Sequence, residues 1–259
     1  MITFNNISVR FNTVGASPIL KNLCFNINAG ERVSLIGHNG SGKSTILRTL
    51  AGYITTYTGE VTANRTVMNS LSPAARSTII GYVQQNTTLG TSGRHNVAEN
   101  ICFTFQNTKW FQRASSRKNI KRALRVLKTF APSLLEQHKK NADKLSGGQR
   151  QLLSLIMVLQ KQTPILLLDE ITAALDPNAA EYVMHKAFAN VSQSQQTIVS
   201  VTHNMRHALM YSSRILVLSQ GKIAHDLSRE KFRKMSEIDL TKMLIESTPT
   251  PQKNAYGTP

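Results

Sequence analysis

"GHNGSGKST" (Gly37–Thr45) holds three glycines, three hydroxyls, one lysine and no acid in nine residues. It fits G-x-x-x-x-G-K-[ST] through Gly37, Gly42, Lys43 and Ser44. Glycine lets the backbone wrap so that successive N–H groups face one anion. Lys43 is then placed to reach the β- and γ-phosphates of a nucleotide, and the Ser44 hydroxyl to hold Mg²⁺. The apolar run "RVSLIG" (32–37) precedes the loop and "STILRTLAG" (44–52) follows it with helical character. A helix beginning there turns its positive end toward the phosphates. Strand, glycine loop and helix in that order predict an α/β protein that handles phosphate chains.

Three further runs extend the pattern: "STIIGYVQQ" (77–85), "TPILLLDE" (163–170) and "QTIVSVTH" (196–203). Each is short, β-branched or Leu-rich, and bounded by turn or helical residues, as strands buried on both faces of a parallel sheet are. Each ends in polar residues: Gln85, the pair Asp169–Glu170, and His203. Ligands of open α/β sheets bind beyond the carboxyl ends of the strands, so these four ends are expected to meet at one site. Asp169 is the candidate to bind Mg²⁺ through water, and Glu170 to polarise an attacking water beside a triphosphate. "ILLLDE" alone is common; paired with the glycine loop it is specific.

The 259 residues suit one large domain or two small ones. The formal charge of +17 calls for an anionic partner: nucleotide, nucleic acid, membrane surface or an acidic protein face. Cys24 and Cys102 form no disulfide framework, which fits a reducing compartment. The N-terminus lacks the basic start and apolar core of a secretory signal. No apolar run approaches the roughly 20 residues that span a bilayer, so any membrane spans are expected from another chain.

"LSGGQRQ" (145–151) decides among phosphate-handling families. Taken alone, "SGG" is a helix N-cap with flexible glycines. Together with Gly37–Thr45, Asp169–Glu170, "AALD" (173–176) and His203, it resembles the ATP-binding cassette of ABC transporters over about residues 2–225. The resemblance implies an α/β P-loop NTPase fold: an ABC-type RecA-like core, an antiparallel β subdomain and an inserted helical subdomain at about 86–160. It implies one nucleotide-binding domain over 1–246, with 247–259 as a polar, Pro-rich disordered tail.

The resemblance also implies roles. ATP and Mg²⁺ are the ligands. Gly37, His38, Asn39, Gly40, Ser41, Gly42, Lys43, Ser44 and Thr45 bind the nucleotide, and Phe11 stacks on adenine. Ser44, Gln85 and Asp169 hold the metal. Glu170, His203 and Gln85 are catalytic. Ser146, Gly147, Gly148 and Gln149 close over ATP held by a second copy of the chain, and Asp176 couples the two sites. The sequence departs from the commoner pattern in places: Gln84 and His38 stand where the family often has proline, Phe11 where tyrosine is commoner, and Ile171 where the most similar group has His.

Lys43 and Ser146 lie 103 positions apart, too close for the long coiled coil of the chromosome-maintenance relatives. One glycine loop and one signature make a half-unit, so a homodimer is implied. The expected assembly is that homodimer on a separate integral membrane permease with a solute-binding protein, peripheral to the cytoplasmic face of the inner membrane. Within the family the chain is most similar to ATPases of bacterial importers with branched-chain-amino-acid-type permeases, serving an amino acid or related small solute. The alternative is a soluble regulatory or nucleic-acid-linked ATPase without a permease.

One stretch stands apart. "SSRKNIKRALRVLKTF" (115–130) is helical by its apolar spacing at Ile120, Leu124, Leu127 and Phe130. Arg113, Arg117, Lys118, Lys121, Arg122, Arg125 and Lys128 line up there, and Glu99 is the only acid between Glu60 and Glu136. It is either a solvated face or a surface attracted to the anionic inner leaflet or to acidic permease loops. Nucleic acid ranks last, because no aromatic residues interleave the basic ones.

Overall fold

The run "ILLLD" becomes strand β7 (Ile165–Asp169), with every residue buried. The computed structural model of the chain describes residues 1–10, 17–86, 88–105, 116–172, 175, 180–182, 184–185, 188 and 195–247. Beside β7 lie β8 (Thr197–Val201), β3 (Arg32–Gly37) and β6 (Ile80–Val83), in the order β3-β8-β7-β6, all parallel. β9 (Arg214–Ser219) adds a parallel strand beside β3, and β10 (Lys222–Ser228) closes that edge antiparallel. β8 also buries all five residues, because both faces of this sheet are covered. The buried Ser34 hydroxyl of β3 bonds those of Ser200 (2.9 Å) and Ser212 (2.6 Å).

A second sheet is antiparallel. It orders β2 (Leu20–Ile27), β1 (Ile2–Val9), β4 (Tyr57–Ala63) and β5 (Thr66–Val67). One core cluster joins it to the parallel sheet and to helix α1 (Lys43–Ala51), through residues such as Phe4, Leu47, Val61 and Leu167. The α/β P-loop core with an antiparallel sheet is the architecture that the resemblance implies.

The run 77–85 folds differently from expectation. Ser77, Thr78 and Ile79 end a helix, α2 (Pro73–Ile79), and only Ile80–Val83 form strand. Ser72 caps that helix by accepting a bond from the Ala75 N–H, and Pro73 fills its first turn. This N-terminal signal outweighs the β-branched pair Thr78–Ile79.

Helices α3 (Val97–Cys102), α4 (Arg117–Phe130), α5 (Pro132–Leu135) and α6 (Gly147–Leu159) share a second core against β6 and β7, with Ile101, Leu127, Leu134, Leu153 and Leu166 fully buried. A third cluster packs α7 (Met205–Tyr211) and α9 (Glu237–Glu246) on β3 and β9, with α8 (Arg229–Phe232) contributing Phe232. No helix among the described residues is long and apolar enough to cross a membrane.

Candidate functional site

Strand register builds the site. Leu35 of β3 pairs with Val201 of β8, Val201 with Asp169 of β7, and Leu168 with Val83 of β6. The carboxyl ends therefore stand in one row, and the residues that follow them project from one edge. Gly37, His203, Asp169–Glu170 and Gln85 come together as expected.

Gly37 ends β3, and the loop turns through Gly40 (φ +79°) and Gly42 (φ +104°) into α1. A Cβ on Gly42 would come within 2.6 Å of Leu20 Cδ2, so that position excludes a side chain by space as well as by φ. No side chain caps α1, which leaves its first N–H groups to a ligand. His38 and Asn39 are exposed.

Lys43 is 4% exposed, and its ammonium donates to the Gly37 (2.7 Å) and His38 (3.0 Å) carbonyls. Burial pulls its pKa down, and the nearby charges of Glu170 and Asp169 oppose that. Ser41 Oγ is buried without a hydrogen-bond partner. An uncapped helix end, a buried cation bonded to loop carbonyls and an orphaned hydroxyl fit a phosphate chain.

The carboxylates sit beside this loop. Ser44 Oγ donates to Asp169 Oδ1 at 2.9 Å, and the Tyr82 hydroxyl donates to Oδ2 at 2.9 Å. Burial pushes the Asp169 pKa up, while those two hydrogen bonds hold it down. Burial pushes the Tyr82 hydroxyl well up as well, so it remains a donor. Glu170 has φ +49°, a left-handed conformation uncommon outside glycine that clusters at functional sites. It turns the side chain off the strand line into two further contacts. Gln85 Nε2 donates to Oε2 at 2.8 Å, and His203 Nε2 lies 3.0 Å from Oε1. A cleft of about 500 Å³ lined by Glu170, Thr172, His203, Asn204 and Glu237 opens there.

The described residues contain no cluster of three or more His, Cys, Asp or Glu side chains able to hold a metal. The available donors are oxygens: Ser44 Oγ, Asp169 and the Gln85 amide. A hard cation here would complete its shell with phosphate and water, as Mg²⁺ does. The residues fit that ion.

The signature segment is a capped helix start. Ser146 Oγ accepts the Gln149 N–H at 3.3 Å, and Gln149 Oε1 accepts the Ser146 N–H at 3.1 Å. Gly147 is exposed, with open space where a Cβ would lie. No hydrogen bond among the described residues joins Ser146–Gln149 to residues 37–45. Phe11 and Asp176 lie outside the described residues.

Two participants escaped the sequence analysis. Tyr82 holds one oxygen of Asp169; a tyrosine inside a buried strand, needing a partner for its hydroxyl, was the available signal. Gln151, 2% exposed, donates from Nε2 to the Gln84 carbonyl at 3.2 Å and ties α6 to the loop carrying Gln85. No local signal marks that contact.

The chain matches the family model described as "ABC transporter" over residues 20–173. It is 36% identical to a tyrosine transport ATP-binding protein of Clostridioides difficile (strain R20291), over 88% of this chain and 92% of that protein. It is 30% identical to the energy-coupling factor transporter ATP-binding protein EcfA1 of Enterococcus faecalis (strain ATCC 700802 / V583), over 98% of this chain and 87% of that protein. Among solved structures it is similar to a dimeric ATP-binding cassette in a post-hydrolysis state with ADP and Pi. The TM-score there is 0.77 at 28% identity, covering 88% of this chain and 99% of that one.

Proposed function

This chain belongs to the ABC transporter family as an ATP-binding, ATP-hydrolysing subunit, and from that premise we propose that it powers uptake of an aromatic amino acid or related small solute. The solute passes through a separate permease of the branched-chain-amino-acid type, with a solute-binding protein delivering it. The observation carrying the solute class is the 36% identity, across nearly the whole of both chains, to a protein named for tyrosine transport. The proposed place of work is the cytoplasmic face of the inner membrane. Labelled tyrosine uptake into proteoliposomes holding this chain and its permease tests it. ATP-dependent uptake is expected, and none, with solute-binding protein present, overturns the solute class. The similarity to an energy-coupling factor transporter ATP-binding protein leaves a second arrangement, without a solute-binding protein, for which uptake would persist when that protein is omitted.

In this proposal residues 1–246 form the nucleotide-binding domain and about 86–160 its helical subdomain. The loop Gly37–Thr45 wraps the triphosphate, and Lys43 exchanges its two carbonyls for phosphate oxygens. Ser44, Asp169 and Gln85 would hold Mg²⁺, which when bound neutralises phosphate charge and polarises the terminal phosphoryl group. Glu170 accepts a proton from the attacking water, its two oxygens held by Gln85 and His203. Ser146–Gln149 act on the ATP of a second copy. Phe11 on adenine and Asp176 between the sites complete the assignment.

Tyr82 gives this proposal a specific consequence. Tyr82→Phe removes one hydrogen bond from Asp169 and keeps the ring. A hydrogen bond to a charged group is worth about 1.5–3 kcal/mol, so the Mg²⁺ concentration for half-maximal hydrolysis should rise at least about tenfold. ATP affinity without Mg²⁺, measured by calorimetry, should not change.

A further inference from the structure

The 14-residue helix α4 turns its apolar side inward. Ala123 and Leu127 are fully buried, and Ile120, Leu124 and Phe130 pack on the same core. Its outer side carries Arg117, Lys118, Lys121, Arg122, Arg125 and Lys128, all exposed. At 100° per residue these six fall within an arc of about 140°, along a strip of roughly 17 Å.

No side chain among the described residues forms an ion pair with the strip. The ion pairs among the described residues involve Arg206, Arg214 and His203, not α4. Residues 61–135 hold eleven basic residues and one acid, giving this stretch +10 of the chain's +17. That acid, Glu99, bonds the Asn96 N–H at 2.9 Å in the capping box of α3.

The arrangement costs the helix stability. Arg117 and Lys118 place positive charge at its positive end, and no acid stands in its first turn. Three like-charge pairs stand at four-residue spacing: Arg117 with Lys121, Lys118 with Arg122, and Lys121 with Arg125. Each is unfavourable. A solvated face kept only for solubility would mix the signs. A strip of one sign that opposes its own helix is stabilised when an external anion field covers it.

We propose that the outer face of α4 docks on an anionic phospholipid bilayer. Every exposed residue of α4 is polar or cationic, so the strip lies on headgroups without inserting. A flat anion field suits six long side chains that project from one convex helix and line no groove. Among the described residues Phe105 touches the strip, lying under Arg122 with its ring centroid 4.0 Å from the guanidinium carbon, so it is not offered for base stacking. The inference rests on the transporter assignment only for placing a membrane nearby. Its test uses no permease and no ATP, so its failure is distinct from failure of that assignment.

The test is co-sedimentation of the full chain with vesicles of phosphatidylcholine alone or with about one quarter phosphatidylglycerol, at about 50 mM and 500 mM salt. One variant carries Arg117→Gln, Lys118→Gln, Lys121→Gln, Arg122→Gln and Arg125→Gln; a second keeps Arg122 and its ring contact. A control removes the same charge elsewhere: Lys139→Gln, Lys222→Gln, Lys231→Gln, Arg233→Gln and Lys234→Gln. Wild type and control should bind the anionic vesicles at low salt and release at high salt. Both strip variants should bind at least about tenfold more weakly, since each basic residue contributes up to about fivefold. Thermal unfolding midpoints should not fall, which separates lost docking from lost folding. Equal binding by wild type and strip variants overturns the proposal. So does equal loss in the control, which would make net charge the cause. Tighter strip-dependent binding to a short DNA duplex than to vesicles at the same salt also overturns it, in favour of nucleic acid.

Discussion

Glu170→Gln should abolish turnover while ATP still binds. The substitution keeps the side chain's shape and its reach to Gln85 and His203. It removes the negative charge proposed to accept a proton from water. A positioned general base contributes about 10²–10⁴-fold, so phosphate release with the permease present should fall by that factor. Calorimetric ATP affinity should stay within about twofold of wild type, because this charge contributes little to ground-state binding. If hydrolysis is what opens the nucleotide-bound homodimer, the variant should accumulate as a dimer with ATP, visible by size-exclusion chromatography. Phosphate release near the wild-type rate would remove Glu170 from the catalytic role and leave its left-handed backbone without a functional account.

Lys43→Ala should weaken nucleotide binding itself. The lysine is 4% exposed, and its ammonium is satisfied by two loop carbonyls at 2.7 and 3.0 Å. A triphosphate would give it charged partners in place of neutral ones, and hydrogen bonds to charged groups are worth about 1.5–3 kcal/mol. ATP affinity measured on the isolated chain should therefore fall by about 10–150-fold. The loss should be smaller for ADP, which lacks the γ-phosphate. Unchanged ATP affinity in a folded variant would overturn the phosphate-cradle assignment of the loop. The two variants separate binding from chemistry: Lys43→Ala acts before the dimer can form, Glu170→Gln after.

Most of the candidate site was legible along the chain because its chemistry is local. Glycine at positions 40 and 42 answers a positive φ, which the residue type itself permits. Ser146 and Gln149 stand three apart and close a capping box within one turn. Asp169 and Glu170 follow an apolar run that buries completely as β7. The misjudged stretch, 77–79, is local too: a Ser-Pro cap extends a helix into residues whose side chains favour strand.

The phosphate loop, the buried strands with polar ends, the signature helix and the basic character of α4 could all be read from the chain, since each follows from residues within one or two turns. Which strand ends become neighbours could not, and was settled by the packing of the sheet. The order β3-β8-β7-β6 sets Val201 beside both Leu35 and Asp169, and thereby puts His203 and Gln85 on the two oxygens of Glu170. The bonds from Tyr82 to Asp169 and from Gln151 to Gln84 have the same origin, as does the absence of any described acid against the α4 strip. Such contacts join residues far apart in the chain, Tyr82 and Asp169 at 87 positions and Leu35 and Val201 at more than that. Their geometry comes from packing two faces of a sheet at once, a condition that no single segment carries.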